Sequence, residues 1–177
     1  MKSIAVVQHV ANDGPGFFGT WLQQAHIPFE VFRMFEGCAL PHSIADHSGL
    51  CMLGGPMSAN DPLPYFPGLL NQVREAIALD IPVIGHCLGA QHLATSAHCA
   101  NQAFLVGSMH LGMQFHCEVD EDKVRDWLET GEAEIRGSNS PGVRQVADIL
   151  PTLQVDLARS QAIASHIYRR WSQGLRY

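Results

Sequence analysis

Short apolar runs alternate with helical spacing along the first half of the chain. Residues 3–10 (SIAVVQHV) form an apolar run suited to a strand, and the turn-rich NDGPGFFG after them leads into TWLQQAHI, whose spacing is helical. PFEVFRMF (28–35) alternates as a strand does, and GLCMLGG (49–55) is an apolar run that ends on two glycines. A Pro-rich loop precedes GLLNQVREAIALDI, where Leu69, Leu70, Val73, Ile77 and Leu79 make an amphipathic helix, and IPVIGHC (81–87) is again a buried strand. Strands without polar alternation fit the interior of a parallel sheet, and the β-α-β order predicts a doubly wound α/β domain with helices on both faces.

The second half reads differently. HLGMQFHCEV (110–119) has the pattern of a strand or hairpin arm. DEDKVRDWLETGEAEI opens with an acidic turn, as a helix N-terminus should. From about Pro141 to Trp171 the pattern is helical, with Val143, Val146, Ile149, Leu150, Leu153, Leu157, Ile163, Ile167 and Trp171 as its apolar face and Pro151 as a kink or division. The expected organisation is a single domain over 1–177, with an α/β core over 1–130 and a helical C-terminal extension over 131–177.

Composition narrows the function classes. The chain is 46% hydrophobic, enough for a core, yet it has no apolar run of ~18 residues that would span a membrane. The first residues read as a strand rather than a signal peptide. The net charge is -6 and no Lys/Arg cluster occurs, which argues against nucleic acid as a partner. Five unequally spaced cysteines without a CxxC indicate neither a disulfide framework nor a zinc knuckle, so a reducing cytoplasm is the expected setting.

The chemistry concentrates at IPVIGHCLGAQHLA. A strand turning sharply into a helix exposes one side chain at the sheet's edge, and Gly85 and Gly89 remove Cβ atoms that would clash around Cys87. A helix N-terminus there favours thiolate, and the Leu88 N–H is free to face an oxyanion. Such a nucleophile needs a base and an orienting acceptor. His116 and Glu118, two apart in an extended segment, share one side and supply both. Zinc on His116, Cys117 and Glu118 is the weaker reading, because adjacent residues point to opposite faces. Gly55, in the tight Gly54-Gly55-Pro56 turn, is the second oxyanion donor.

Three segments together, Gly54-Gly55-Pro56, Gly85-His86-Cys87-Leu88-Gly89-Ala90-Gln91 and Gln114-Phe115-His116-Cys117-Glu118-Val119, resemble the class I glutamine amidotransferases with a Cys-His-Glu triad. Their order and the helical C-terminus look most like the stand-alone GMP-synthase-like branch. Cys117 stands where proline is common in that family. The resemblance implies a flavodoxin-like fold and hydrolysis of the glutamine side-chain amide. In it Cys87 attacks, Gly55 and Leu88 hold the oxyanion, His116 transfers protons, Glu118 orients His116, and Gln91 contacts substrate. It implies no metal or organic cofactor, and an ammonia-accepting synthetase or second substrate as partner.

The interval from Cys87 to His116 is much shorter than in that family, as though a block were absent near residues 91–96. Either the sequence lacks a segment there or the protein carries a true deletion that removes a wall of the glutamine pocket. Exposed apolar sheet would cost ~25 cal/mol per Å², which favours the first. Two other functions stand beside glutaminase: hydrolysis of another γ-glutamyl amide or peptide, and an inactive binding or regulatory module. NDGPGFFG lacks the spacing and lysine of a phosphate loop and reads as a loop near the site mouth. His9 either approaches the site or is structural. His86 should point away from Cys87. His42, His47, His92 and His98 show no metal spacing, and Trp127, Trp171 and Phe104 read as core or interface aromatics.

Overall fold

The computed structural model describes residues 1–58, 61–87 and 102–175. Six strands form one sheet in the order β2-β1-β3-β4-β6-β5. They are β1 Ile4–Gln8, β2 Phe29–Arg33, β3 Gly49–Met52, β4 Val83–His86, β5 Ala103–Val106 and β6 His110–Met113. All neighbours pair in parallel except β5, which closes the edge antiparallel to β6. The fold is the mixed α/β, mostly parallel sheet the sequence predicts. The strand β1 shows why its pattern carries no polar alternation. Ile4 and Val6 belong to one core layer, Ala5 and Val7 to the other, and all four are fully buried.

The helices are α1 Gly16–Gln24, α2 Phe66–Ala78, α3 Glu121–Thr130, α4 Glu132–Gly137, α5 Val146–Ile149 and α6 Leu153–Ser172. On one face Phe18 and Leu22 of α1 meet Tyr168 and Trp171 of α6; on the other, Leu69 and Ala76 of α2 pack over Leu50 and Val83. The Asp120 side chain caps α3 by accepting from the Lys123 N–H at 2.9 Å, and Glu121 and Asp122 fill the acidic first turn. Among the described residues no helix is long and apolar enough to cross a membrane.

Three expectations shift. The helical reading through Thr130 divides at Gly131 into α3 and α4. Pro141 to Gln145 is not helical, and Pro151 sits in a 3-10 turn, Leu150–Thr152, that joins α5 to α6. Ile163, placed on the apolar face, is 61% exposed, because α6 buries Leu153, Leu157, Ala164, Tyr168 and Trp171 instead. The expected absent block near 91–96 lies outside the described residues.

Candidate active site

The strand ends converge on Cys87. It follows β4 directly with φ of 68°, in the left-handed region that non-glycine residues rarely occupy. A parallel strand carries Ile84 and His86 to one face, and the turn that follows holds the next side chain off both layers. The strained φ is the backbone signature of the sharp corner predicted from the flanking glycines.

Gly54 sets how close the other groups come. A Cβ on it would lie 2.7 Å from His116 Cε1, 2.8 Å from Asp13 Oδ2 and 3.1 Å from Cys87 Cβ. One point within van der Waals reach of all three side chains means that Cys87, His116 and Asp13 crowd around a residue without a side chain. The next residue, Gly55, directs its backbone N–H at the Cys87 sulfur. Burial pushes the Cys87 thiol up, as do the charges of Asp13 and Glu118, and the Gly55 N–H only partly opposes them. The described surroundings therefore hold Cys87 as a thiol that needs a base. Leu88, Gly89 and Gln91 lie outside the described residues, as does the helix expected to favour thiolate.

His116 and Glu118 fall just beyond β6, in a bend rather than on the strand itself, and the two-residue spacing still puts them on one side. The His116 ring bonds through Nδ1 to Glu118 Oε1 at 2.6 Å, which leaves Nε2 as the free nitrogen. Cys117 points the other way, into the core, with its sulfur 3.5 Å from the Tyr168 hydroxyl, and burial pushes its thiol up to about 11. That opposition disposes of a His116-Cys117-Glu118 zinc set. The buried Cys51 thiol is likewise pushed up by burial, and Cys38 is exposed.

Glu118 is the hub, and most of its partners escaped sequence reasoning. It is fully buried, and burial alone would raise its pKa. The hydrogen bond to His116 and the contact with His86 outweigh that and hold it well below the usual carboxylate range. His86 Nδ1 lies 2.9 Å from Glu118 Oε2, too oblique for a well-formed hydrogen bond, so the contact acts through charge and dipole. Lys123, also buried, places Nζ 2.7 Å from Asp13 Oδ1, 2.5 Å from the Gly14 carbonyl and 3.7 Å from Glu118 Oε1. Asp13, His116 and Glu118 offer donor atoms within 4.8 Å of one another, as a metal site would. The Lys123 ammonium already occupies the cation's place between the two carboxylates.

The first loop is tied to this hub. Gly16 has φ of 46°, and a Cβ there would sit 2.4 Å from the Glu118 carbonyl oxygen. With glycine in place, the Phe17 N–H donates to that carbonyl at 2.7 Å. The Asn-Asp-Gly-Pro-Gly run thus clamps the Glu118 backbone and brings Asp13 to the site. His9 is buried beside Gly55, bonded through Nδ1 to the Tyr65 hydroxyl at 2.9 Å, and burial lowers its pKa although Asp13 opposes this. Trp127 meets the His116 ring edge-on at 4.8 Å, and Lys123 Nζ lies 5.5 Å from its ring centre. It therefore walls the site as well as packing beneath it.

Solved structures resemble the whole chain. The crystal structure of a glutamine amidotransferase from Methylobacillus flagellatus matches with a TM-score of 0.93 and 34% identity, over 99% of this chain and 96% of that one. A glutamine amidotransferase from Thermotoga maritima matches with a TM-score of 0.74 and 16% identity over 99% of both chains. The protein SMU.1228c matches at 0.78 and 18%, over 95% of this chain and 99% of that one. At the lower two identities the likeness is one of fold alone. No family model matches the sequence, and neither does any curated protein.

Proposed function

The chain belongs to the glutamine amidotransferases, and from that premise we propose that it hydrolyses the side-chain amide of glutamine through a thioester on Cys87. The observation that carries this reading is the crowding of Cys87 and His116 around Gly54, with Glu118 behind the imidazole.

The Cys87 sulfur attacks the amide carbon while His116 Nε2 takes the thiol proton. The carbonyl oxygen becomes an oxyanion, held by the Gly55 N–H that otherwise faces the sulfur, with the Leu88 N–H as the family's second donor. His116 returns the proton to the departing nitrogen as the carbon–nitrogen bond breaks, and ammonia leaves. Water, deprotonated by His116, then attacks the thioester; glutamate departs and the thiol is restored. Glu118 fixes the tautomer and stabilises the imidazolium, as the acidic member of a triad does. Gln91 is the substrate contact the family resemblance assigns. No step calls for a cofactor.

We place the protein in the stand-alone GMP-synthase-like branch, working in a reducing cytoplasm and passing ammonia to a separate synthetase or second substrate. Incubation with a glutamine-like chloroketone, followed by intact mass, tests the chemistry. Expected are one adduct on the wild type, none on Cys87→Ser, and ammonia released from glutamine by the wild type alone. A folded wild-type sample that neither labels nor releases ammonia is an inactive module, and the reading falls.

A further inference from the structure

The cleft beside His116 is far larger than departing ammonia requires. It measures about 450 Å³, within the ~300–1,000 Å³ of small-molecule sites and more than ten times the ~30 Å³ share of a water-sized molecule. Asp13 and Gly55 form one side of it, His116 its floor, and Trp127, Thr130 and Glu134 of α3 and α4 the other. Cys87 is not in its lining; the sulfur faces the smaller hollow beside His9, Leu53 and Phe66. An acyl carbon on that sulfur therefore has its leaving nitrogen toward His116, and whatever that nitrogen carries extends into the large cleft.

The charge of the lining selects among such groups. Among the described residues, no lysine or arginine lines the cleft. Asp13 is neutralised by Lys123, whereas Glu134 makes no ion pair among the described residues. The Trp127 ring adds an apolar, cation-tolerant wall. Asn12 braces the rim by donating to Asp126 Oδ2 at 3.1 Å, so the loop and α3 hold the cleft open from both sides.

We propose that this cleft is a leaving-group site and that the protein also cleaves γ-glutamyl amides of primary amines bearing a second positive charge, such as diamines. The inference rests on the thioester chemistry proposed above. Its balance is the same: the sulfur–carbon bond forms, the carbon–nitrogen bond breaks, the thiol proton reaches the amine nitrogen through His116, and water releases glutamate. The free diamine leaves in place of ammonia.

The test compares kcat/KM for glutamine and three γ-glutamyl amides of equal chain length: that of 1,4-diaminobutane, its neutral butylamide analogue, and an ω-carboxylate analogue. The expected order is diamine, butyl, carboxylate, with the first step roughly five-fold, the scale of one exposed charge. Glu134→Lys should invert that order, and Thr130→Trp, which fills the cleft, should lower the ratio of butylamide to glutamine turnover. Wild-type hydrolysis of glutamine with all three amides refused overturns the leaving-group site. An order that Glu134→Lys leaves unchanged overturns its charge preference. Equal losses for glutamine and butylamide in Thr130→Trp mean that the cleft holds the glutamine backbone instead. Absence of both glutamine turnover and chloroketone labelling defeats the thioester reading beneath, a distinct result that removes this inference with it.

Discussion

His116 and His86 attend opposite oxygens of one carboxylate from two different regions. The His116 side chain is 25% exposed on the floor of the cleft and bonds Glu118 Oε1 at 2.6 Å. His86 is fully buried on the aromatic side of the sheet, 6.0 Å from the Phe18 ring and 6.1 Å from that of Tyr168, with neither ring nitrogen in a well-formed hydrogen bond. Residue type and partner are shared; access differs. In the chemistry proposed above, the imidazole that meets the cleft is the one that exchanges a proton with a substrate, and the other holds the carboxylate in place. Chemistry is thus assigned by which side of Glu118 is wet.

The sharpest way to break this contrast is His116→Ala. It should lower glutamine turnover by about 10³-fold, or ~4 kcal/mol of barrier, because among the described residues no other imidazole reaches the cleft floor beside Glu118. The stability cost should be about 1 kcal/mol, the low end for a buried acceptor that loses a partner, because Lys123 Nζ stays 3.7 Å from the freed carboxylate oxygen. Urea unfolding beside ammonia release checks both halves.

His86→Leu should show the opposite signature. Removing one side of a buried charge contact leaves Glu118 Oε2 against apolar neighbours, and the expected cost is about 3 kcal/mol of stability. Turnover should fall only about ten-fold, through a less firmly aimed Glu118. His86→Gln, whose amide can donate to the same oxygen, should recover part of both. If His86→Leu abolishes turnover while His116→Ala chiefly destabilises, the two histidines have been assigned the wrong way round.

How much of this the sequence carried depends on range. The elbow at Cys87 and the pairing of His116 with Glu118 are local, and local periodicity and glycine placement betray them. The parallel sheet is legible for the same reason, since strands such as IAVVQ are apolar on both faces. The Asp13–Lys123 ion pair joins residues far apart in the chain, and neither has a neighbour that marks it. A charged residue on an amphipathic helix ordinarily reads as solvated, so Lys123 gave no signal that it would be buried. His86 was legible only as a side chain directed away from Cys87; its partner depends on how β4 packs against the segment after β6. The one hint for the first loop was Gly16, where φ is positive and a Cβ would strike the Glu118 carbonyl oxygen.

The gentlest probe of the hub is acid. Glu118 has a folded pKa held below its ordinary 4.5, so the stability contributed by its ionised form is complete above that value and drains away as pH falls through it. His9 and His110 act in a different window. Burial lowers both below 6.5, so they favour the folded state above that pH and lose their contribution as pH drops past it. The two windows separate the carboxylate from the histidines. One proton taken up on unfolding is worth at most about 1.4 kcal/mol per pH unit, which bounds how far the wild-type slope below pH 4.5 can exceed that of Glu118→Gln. His9 and His110 are present in both proteins, so their contributions cancel from that difference. Urea midpoints collected down the pH scale decide it: a variant as acid-sensitive as the wild type below 4.5 would mean that the strain of acid falls on some other carboxylate, and that the two histidines do not hold Glu118 in its charged form.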